Sequence, residues 1–222
     1  MTREHFVRSL DELRDRILTM GSYVAEELRV AMLALDALDT TKASQVTAFD
    51  REVNAIRYEI EERCFMLIAT QQPAASDLRL VFAATSMVVD LERMGDQAKG
   101  IAKLIPGLRR HPDIPRPVEL FQMGELVTVM LKDALRAYAE RDVDLARDIA
   151  ARDTEVDTIY ARLFTQTMRD LAQAGEAERA QVFYELLRAA RELERFGDLV
   201  ANFVERSAYI STGEFPLPSR PE

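Results

Sequence analysis

The sequence has little of what disulfides, thiolate metal sites and turn-rich β folds require. Its 222 residues include no Trp, one Cys, two His, eight Gly and eight Pro. Cys64 alone cannot form an internal disulfide, and two histidines cannot complete the Cys/His ligand sets of typical zinc sites. The scarcity of turn residues and the abundance of Ala, Leu, Glu and Arg indicate helices. We predict an all-α protein of a reducing compartment.

Long apolar runs are also absent. No stretch reaches the roughly 18 apolar residues of a membrane-spanning helix, and the charged start lacks the apolar core of a signal peptide. We therefore expect a cytoplasmic protein that meets the membrane only through partners. The net charge of −9 argues against nucleic-acid binding, because neutralising phosphates needs a basic surface. An acidic chain is better suited to cations or basic partner surfaces.

Proline placement divides the chain into two halves. Pro106, Pro112, Pro115 and Pro117 fall in one short stretch, and helix interiors tolerate proline badly. We predict a first three-helix bundle in residues 1–105, a Pro-rich linker in 106–117, a second bundle in 118–212 and a flexible tail in 213–222. Apolar residues recur every three or four positions, with Ser76 as a candidate N-cap. The predicted helices lie near 5–38, 41–71, 76–105, 118–140, 142–174 and 177–211.

Short sequence motifs of the first half recur in the second half. Met20-Gly21 recurs as Met123-Gly124, and Asp50-Arg-Glu-Val53 recurs as Asp153-Thr-Glu-Val156. Leu91-Glu-Arg-Met-Gly-Asp96 recurs as Leu193-Glu-Arg-Phe-Gly-Asp198. The pattern indicates an internal duplication, so the two bundles should be related by a pseudo-two-fold axis.

Acidic residues four apart recur within the repeats, and this spacing places them on one face of a helix. Helical geometry puts these residues beside the buried apolar seam, at the edge of each bundle. Like charges at this spacing repel, so a repeated arrangement suggests a hard cation that binds carboxylates. The alternative is that these acids are exposed to solvent and bind no metal. The candidate metal ligands are Glu92 with Asp96, Glu194 with Asp198, Asp153 with Asp157, and Asp50 with Asn54.

Other residues near these pairs support no reaction centre. Arg93 and Arg195 each follow the first acid of a pair and should reach another helix, as support for a metal site or as ordinary ion pairs or partner contacts. Phosphate-binding loops, G-x-S-x-G elbows and H-E-x-x-H motifs are absent. We therefore expect no catalytic residue and no enzyme activity.

The segment from Gln72 to Leu80 (QPAASDLRL), the two L-E-R-x-G-D copies and the M-G pairs resemble the PhoU family of phosphate-uptake regulators. The resemblance spans about residues 5 to 212. It implies a cytoplasmic, non-enzymatic protein that negatively regulates the phosphate-starvation response. Its implied partners are the ATPase subunit of the phosphate ABC transporter and a sensor histidine kinase, and it implies a homodimer.

The resemblance also implies metal clusters on the predicted carboxylates, with Fe, Mn, Ni, Zn or Mg as possible ions. Asn54 departs from the acidic pattern and brings no charge, so the first site should bind cations more weakly. Two alternatives stay open: a metal-free structural or adaptor bundle, and a dinuclear carboxylate metalloenzyme. The second is weaker because the chain has no Glu-x-x-His spacing of ferritin-like oxidases.

Overall fold

The computed structural model describes residues 3–214 and is entirely helical over that range, apart from short connections. This confirms the predicted all-α fold with six long helices. None of the described helices is both long enough and apolar enough to cross a membrane. The helices are α1 Arg3–Ala37, α2 Thr40–Gln71, α3 Ala75–Leu108, α4 Val118–Glu140, α5 Val143–Ala172 and α6 Ala177–Thr212.

Equivalent turns begin the second helix of each half. The Asp39 carboxylate accepts hydrogen bonds from the backbone N–H groups of Thr41 and Lys42, and so caps α2. Asp142 caps α5 in the same way through Leu145 N. Such caps satisfy N–H groups that have no partner within the helix. The duplication is therefore visible in the turns as well as in the helices.

Two predictions about α3 were wrong in detail. The helix begins at Ala75, and Ala74 precedes it without a side-chain cap, so Ser76 lies inside the first turn instead of capping it. At the other end, α3 continues through Pro106 to Leu108. Pro106 lies in the last turn, where its missing N–H removes only one intrahelical hydrogen bond. The connection between the halves in the structure is therefore residues 109–117.

This connection is fastened to both halves. Ile114 is buried, Arg116 donates a hydrogen bond to the Asp36 carbonyl, and Asp113 pairs with Arg179. At the far end, Gly213 ends α6 in a left-handed conformation with φ of 80°. The rest of the predicted tail, residues 215–222, lies outside the described residues.

Each half is a three-helix bundle around an apolar core. In the first half α1, α2 and α3 pack against one another, and in the second half α4, α5 and α6 do the same. The predicted seams are buried as expected, with Leu13, Ile17 and Met20 fully inside on α1. The halves join along α3 with α6 and α1 with α4.

The contact between α1 and α4 shows the pseudo-two-fold relation directly. A Cβ on Gly21 would lie 2.3 Å from Leu135 Cδ2, and a Cβ on Gly124 would lie 2.5 Å from Met32 Cε. Gly124 is the repeat of Gly21, and Leu135 is the repeat of Met32, both 103 residues on (124 − 21 and 135 − 32). The same pair of positions thus meets twice in exchanged roles, as a two-fold interface requires. The glycines let the two helices approach closely.

The contact between α3 and α6 is antiparallel and carries a buried ion pair. Asp90 of α3 pairs with Arg206 of α6, and the Asp90 side chain is almost completely buried. Farther along, Glu192 of α6 packs beside Gly100 of α3. Burial raises the pKa of Asp90 to about 6 in spite of Arg206. The two halves are thus joined by charge as well as by apolar packing.

Replacing Gly21 by Val should destabilise the protein by about 1–3 kcal/mol, because the new side chain overpacks the interface against Leu135. Urea unfolding measures the change. Ser22→Val on the exposed face of α1 is the matched control and should change stability little. Equal stability of Gly21→Val and wild type would show that the close α1–α4 approach is absent in solution.

Candidate functional site

The first set of predicted ligands comes together between α2 and α3. Asp50 is buried, Glu92 is largely buried, and Asp96 is about half exposed. Lys99 Nζ lies 2.7 Å from Asp50 Oδ2 and 3.8 Å from Asp96 Oδ1. Arg57 Nη1 lies 3.2 Å from Glu92 Oε2. Each of the three carboxylates therefore has a cationic side chain within 4 Å.

The amide NH₂ group of Asn54 donates to the backbone and not to these carboxylates. Its Nδ2 donates to the backbone carbonyl of Asp50, 2.8 Å away on the same helix. This is a local bond of the kind that Asn makes within helices. The departure from the acidic pattern at this position therefore removes a charge from the cluster.

The second set lies between α5 and α6 and contains four carboxylates. Asp153 is buried, Glu194 keeps only 12% of its side chain exposed, and Asp157 is exposed. Arg191 Nη1 lies 2.7 Å from Glu194 Oε1. Glu194 Oε2 is buried without a hydrogen-bond partner among the residues that the structure describes. One oxygen of this carboxylate is therefore available to a ligand.

The acids of the second site are close enough to repel one another. Burial raises the pKa of Glu194, and the nearby charges of Asp198, Asp157 and Asp153 raise it further, while Arg191 lowers it. In the first site the pKa of Glu92 is also raised, mainly by burial and then by Asp96. Both sites thus hold carboxylates whose ionised forms are destabilised by burial and by neighbouring negative charges. A bound cation would offset this cost.

The pairs are less peripheral than the sequence predicted. We expected them at bundle edges outside the core, whereas Asp50 and Asp153 are each only 7% exposed. Gly197 accounts for the burial of Asp153, because a Cβ on Gly197 would lie 3.2 Å from Asp153 Oδ1. The mid-helix glycine of the second repeat therefore leaves space for an acidic side chain of the neighbouring helix.

The arginines named from the sequence play a smaller part than predicted. Arg93 and Arg195 are exposed, and within residues 3–214 neither forms an ion pair with another helix. Arg93 acts on Glu92 through its charge alone. The cations that contact the sites are Arg57, Lys99 and Arg191. Lys99 follows Asp96 by three residues, so the spacing rule applied to the acids could have found it.

No group of three or more acidic, His or Cys side chains in the described part of the chain already has the geometry to hold a metal ion. The carboxylates are near one another, but they do not converge on one point. Any cation site here therefore requires side-chain rotation.

Comparison with known proteins decides the family. The PhoU domain model matches the chain twice, at residues 17–105 and 120–207. The chain is 36% identical over 217 residues to the phosphate-specific transport system accessory protein PhoU homolog of Clostridium acetobutylicum, covering 96% of this chain and 97% of that protein. This chain belongs to the PhoU family.

Solved PhoU structures agree with the fold. The crystal structure of the phosphate transport system regulatory protein PhoU from Streptococcus pneumoniae matches with a TM-score of 0.86 at 34% identity, over 95% of this chain and 99% of that one. PhoU from Pseudomonas aeruginosa matches with a TM-score of 0.87 at 32% identity, over 94% and 100%. The resemblance stated from the motifs is therefore confirmed over nearly the whole chain.

One residue of this PhoU chain was missed by the sequence analysis. Glu27 of α1 is completely buried, and neither carboxyl oxygen has a hydrogen-bond partner within the described residues. A Cβ on Gly95 would lie 2.8 Å from Glu27 Oε2, so the carboxyl group occupies the space beside that glycine. The available signal was an acid on an apolar seam, seven residues after Met20 and three after Val24.

Burial and, after it, the charge of Asp50 raise the pKa of Glu27 to about 9, although the charge of Lys99 lowers it. The folded protein therefore keeps this proton up to about pH 9, while the unfolded chain loses it near the ordinary value of 4.5. Between these values the native state binds more protons than the unfolded state. Stability must fall as pH rises through this window.

In metal-free protein, Glu27→Gln should flatten this pH dependence between pH 6 and pH 8.5. The contribution of Glu27 in wild type is at most about 1.4 kcal/mol per pH unit. Urea unfolding at several pH values in EDTA measures it. Glu12→Gln, an exposed change on the same helix, is the control and should leave the slope as in wild type. An unchanged slope for Glu27→Gln would mean that Glu27 is ionised in the native state.

Proposed function

We propose that this chain is an accessory regulator of phosphate uptake that keeps the phosphate-starvation response off when phosphate is plentiful. It would do so by linking the phosphate ABC transporter to a sensor histidine kinase. The observation that carries the proposal is the similarity to a named phosphate-transport accessory protein over 96% of this chain and 97% of the relative. The whole scaffold is shared, including both repeats.

The proposed partners are the ATPase subunit of the transporter and the histidine kinase. The protein would act as a homodimer in the cytoplasm, at the inner face of the membrane and held there by these partners. Its net charge of −9 favours basic partner surfaces over nucleic acid. Regulation of this kind needs surfaces that bind other proteins and does not need a reaction centre.

Deleting the gene in its host should raise transcripts of the phosphate transporter genes several-fold in phosphate-rich medium, since the repressing link is lost. Quantitative reverse transcription measures them, and a wild-type copy supplied in trans is the control that should restore repression. Tagged protein from the same cells should copurify with the transporter ATPase subunit. Full repression in the deletion strain, or recovery of neither partner after cross-linking, would refute the regulatory link.

The second carboxylate set has the oxygen donors that a hard cation prefers. Four carboxylates lie near one another on α5 and α6, and Glu194 Oε2 is a buried oxygen without a hydrogen-bond partner in residues 3–214. Hard cations such as Fe, Mn and Mg prefer oxygen ligands, whereas Ni and Zn more often take nitrogen or sulfur. We propose that Asp153, Asp157, Glu194 and Asp198 hold the ion. A bound cation would supply positive charge that offsets the repulsion among them and joins α5 to α6.

The first carboxylate set does not fit a metal ion equally well. Lys99 and Arg57 already contact its acids, and Asn54 contributes no charge. The metal proposal is therefore made for the second repeat.

Changing Glu194 to Gln together with Asp198 to Asn should remove most bound metal from protein purified without chelator, because two of four anionic donors are lost. Elemental analysis measures the metal. Asp144→Asn with Asp148→Asn is a matched control: it removes an acidic pair at the same spacing from an exposed part of α5. Metal content that falls equally in both variants, or is absent from wild type, would favour the metal-free adaptor.

A further inference from the structure

The two repeats differ in charge at the positions that surround their carboxylates. The repeat of Lys99 is Ala201, 102 residues on, and the repeat of Arg57 is Tyr160, 103 residues on (201 − 99 and 160 − 57). Both cations that contact the acids of the first site are thus replaced by uncharged residues in the second. The offsets are those of the flanking motifs, so the positions correspond in the fold.

The ammonium group of Lys99 lies where a bridging cation would act. Lys99 Nζ is 2.7 Å from Asp50 Oδ2 on α2 and 3.8 Å from Asp96 Oδ1 on α3. Lys99 is itself part of α3, and three quarters of its side chain is buried. It therefore ties the two helices together and partly neutralises both acids, as a bound cation between them would.

Glu27 is a second residue near Lys99 that has no charged counterpart in the second repeat. The repeat of Glu27 is Met130, 103 residues on (130 − 27), so the first repeat has both an extra acid and an extra base where the second has neither. Glu27 lies close enough to Asp50, Lys99 and Asp96 for their charges to act on it. Met130 in the second repeat is fully buried in the apolar core. The first repeat thus has buried polar groups of its own where the second repeat has an apolar contact.

We propose that Lys99 takes the place of a metal ion in the first repeat, so that this chain binds metal in its second repeat alone. The inference rests on the proposed metal site of the second repeat. The ionic contact that joins α2 to α3 is then independent of the metal supply. The contact that joins α5 to α6 depends on a bound metal ion. Only the second half of the molecule can respond to metal.

The first test compares matched losses of charge in the two repeats. Full-length protein is loaded with Mn²⁺ under anaerobic conditions, freed of unbound ion, and analysed by elemental analysis and electron paramagnetic resonance. Glu92→Gln with Asp96→Asn should keep the wild-type manganese content. Glu194→Gln with Asp198→Asn should lose most of it. Circular dichroism establishes that each variant is folded.

The second test asks whether the first repeat can be made to bind Mn²⁺. Lys99→Ala, Asn54→Asp and Glu27→Met together give the first repeat the residues that the second has at Ala201, Asp157 and Met130. The triple variant should bind about twice as much Mn²⁺ as wild type, since its two sites now have the same donors. Lys99→Arg keeps the positive charge and should bind no more Mn²⁺ than wild type.

The possible failures separate the two proposals. Equal loss of manganese from both double variants would overturn the assignment of metal to one repeat and leave metal binding itself intact. A folded triple variant with wild-type manganese content would overturn the role of Lys99. Wild type that binds no manganese would overturn the metal site of the second repeat, and this inference with it.

Discussion

A carboxylate can be held between packed helices only if its charge is compensated. Removing it from water costs several kcal/mol unless a cation, a proton or hydrogen bonds offset the loss. Asp50 and Asp153 are both 7% exposed at equivalent places of the duplicated scaffold, so the protein meets this constraint twice. The way each half compensates its acids determines what that half can bind.

The compensation differs between the halves although the scaffold is the same. In the first, Lys99 and Arg57 supply positive charge from the protein itself. In the second, Arg191 pairs with Glu194, whose other oxygen is buried without a hydrogen-bond partner among the described residues. Duplication thus preserved the backbone and the glycines while the surrounding side chains diverged. A shared fold has allowed two sites with different chemistry.

The packing between the halves keeps the two sites in a fixed relation. Gly21 against Leu135 and Gly124 against Met32 are one contact made twice, and the Asp90–Arg206 pair joins α3 to α6. The helices that carry Glu92 and Glu194 are themselves the pair that meets at this interface. A change in charge at one site therefore acts on a helix that packs against the other bundle, which suits a regulator.

The sequence by itself determined the helices, the duplication, the family and the acids that come together, because each depends on spacing along one chain. The period of the apolar residues predicted six helices, and the repeated L-E-R-x-G-D segments located Glu92 and Glu194. Only the tertiary structure decided which charges meet. Lys99 reaches Asp50 from another helix, Glu27 lies beside Gly95 from a third, and Asp50 is buried instead of lying at an edge. These contacts depend on how closely helices approach and how far side chains extend between them, and helical periodicity contains neither quantity.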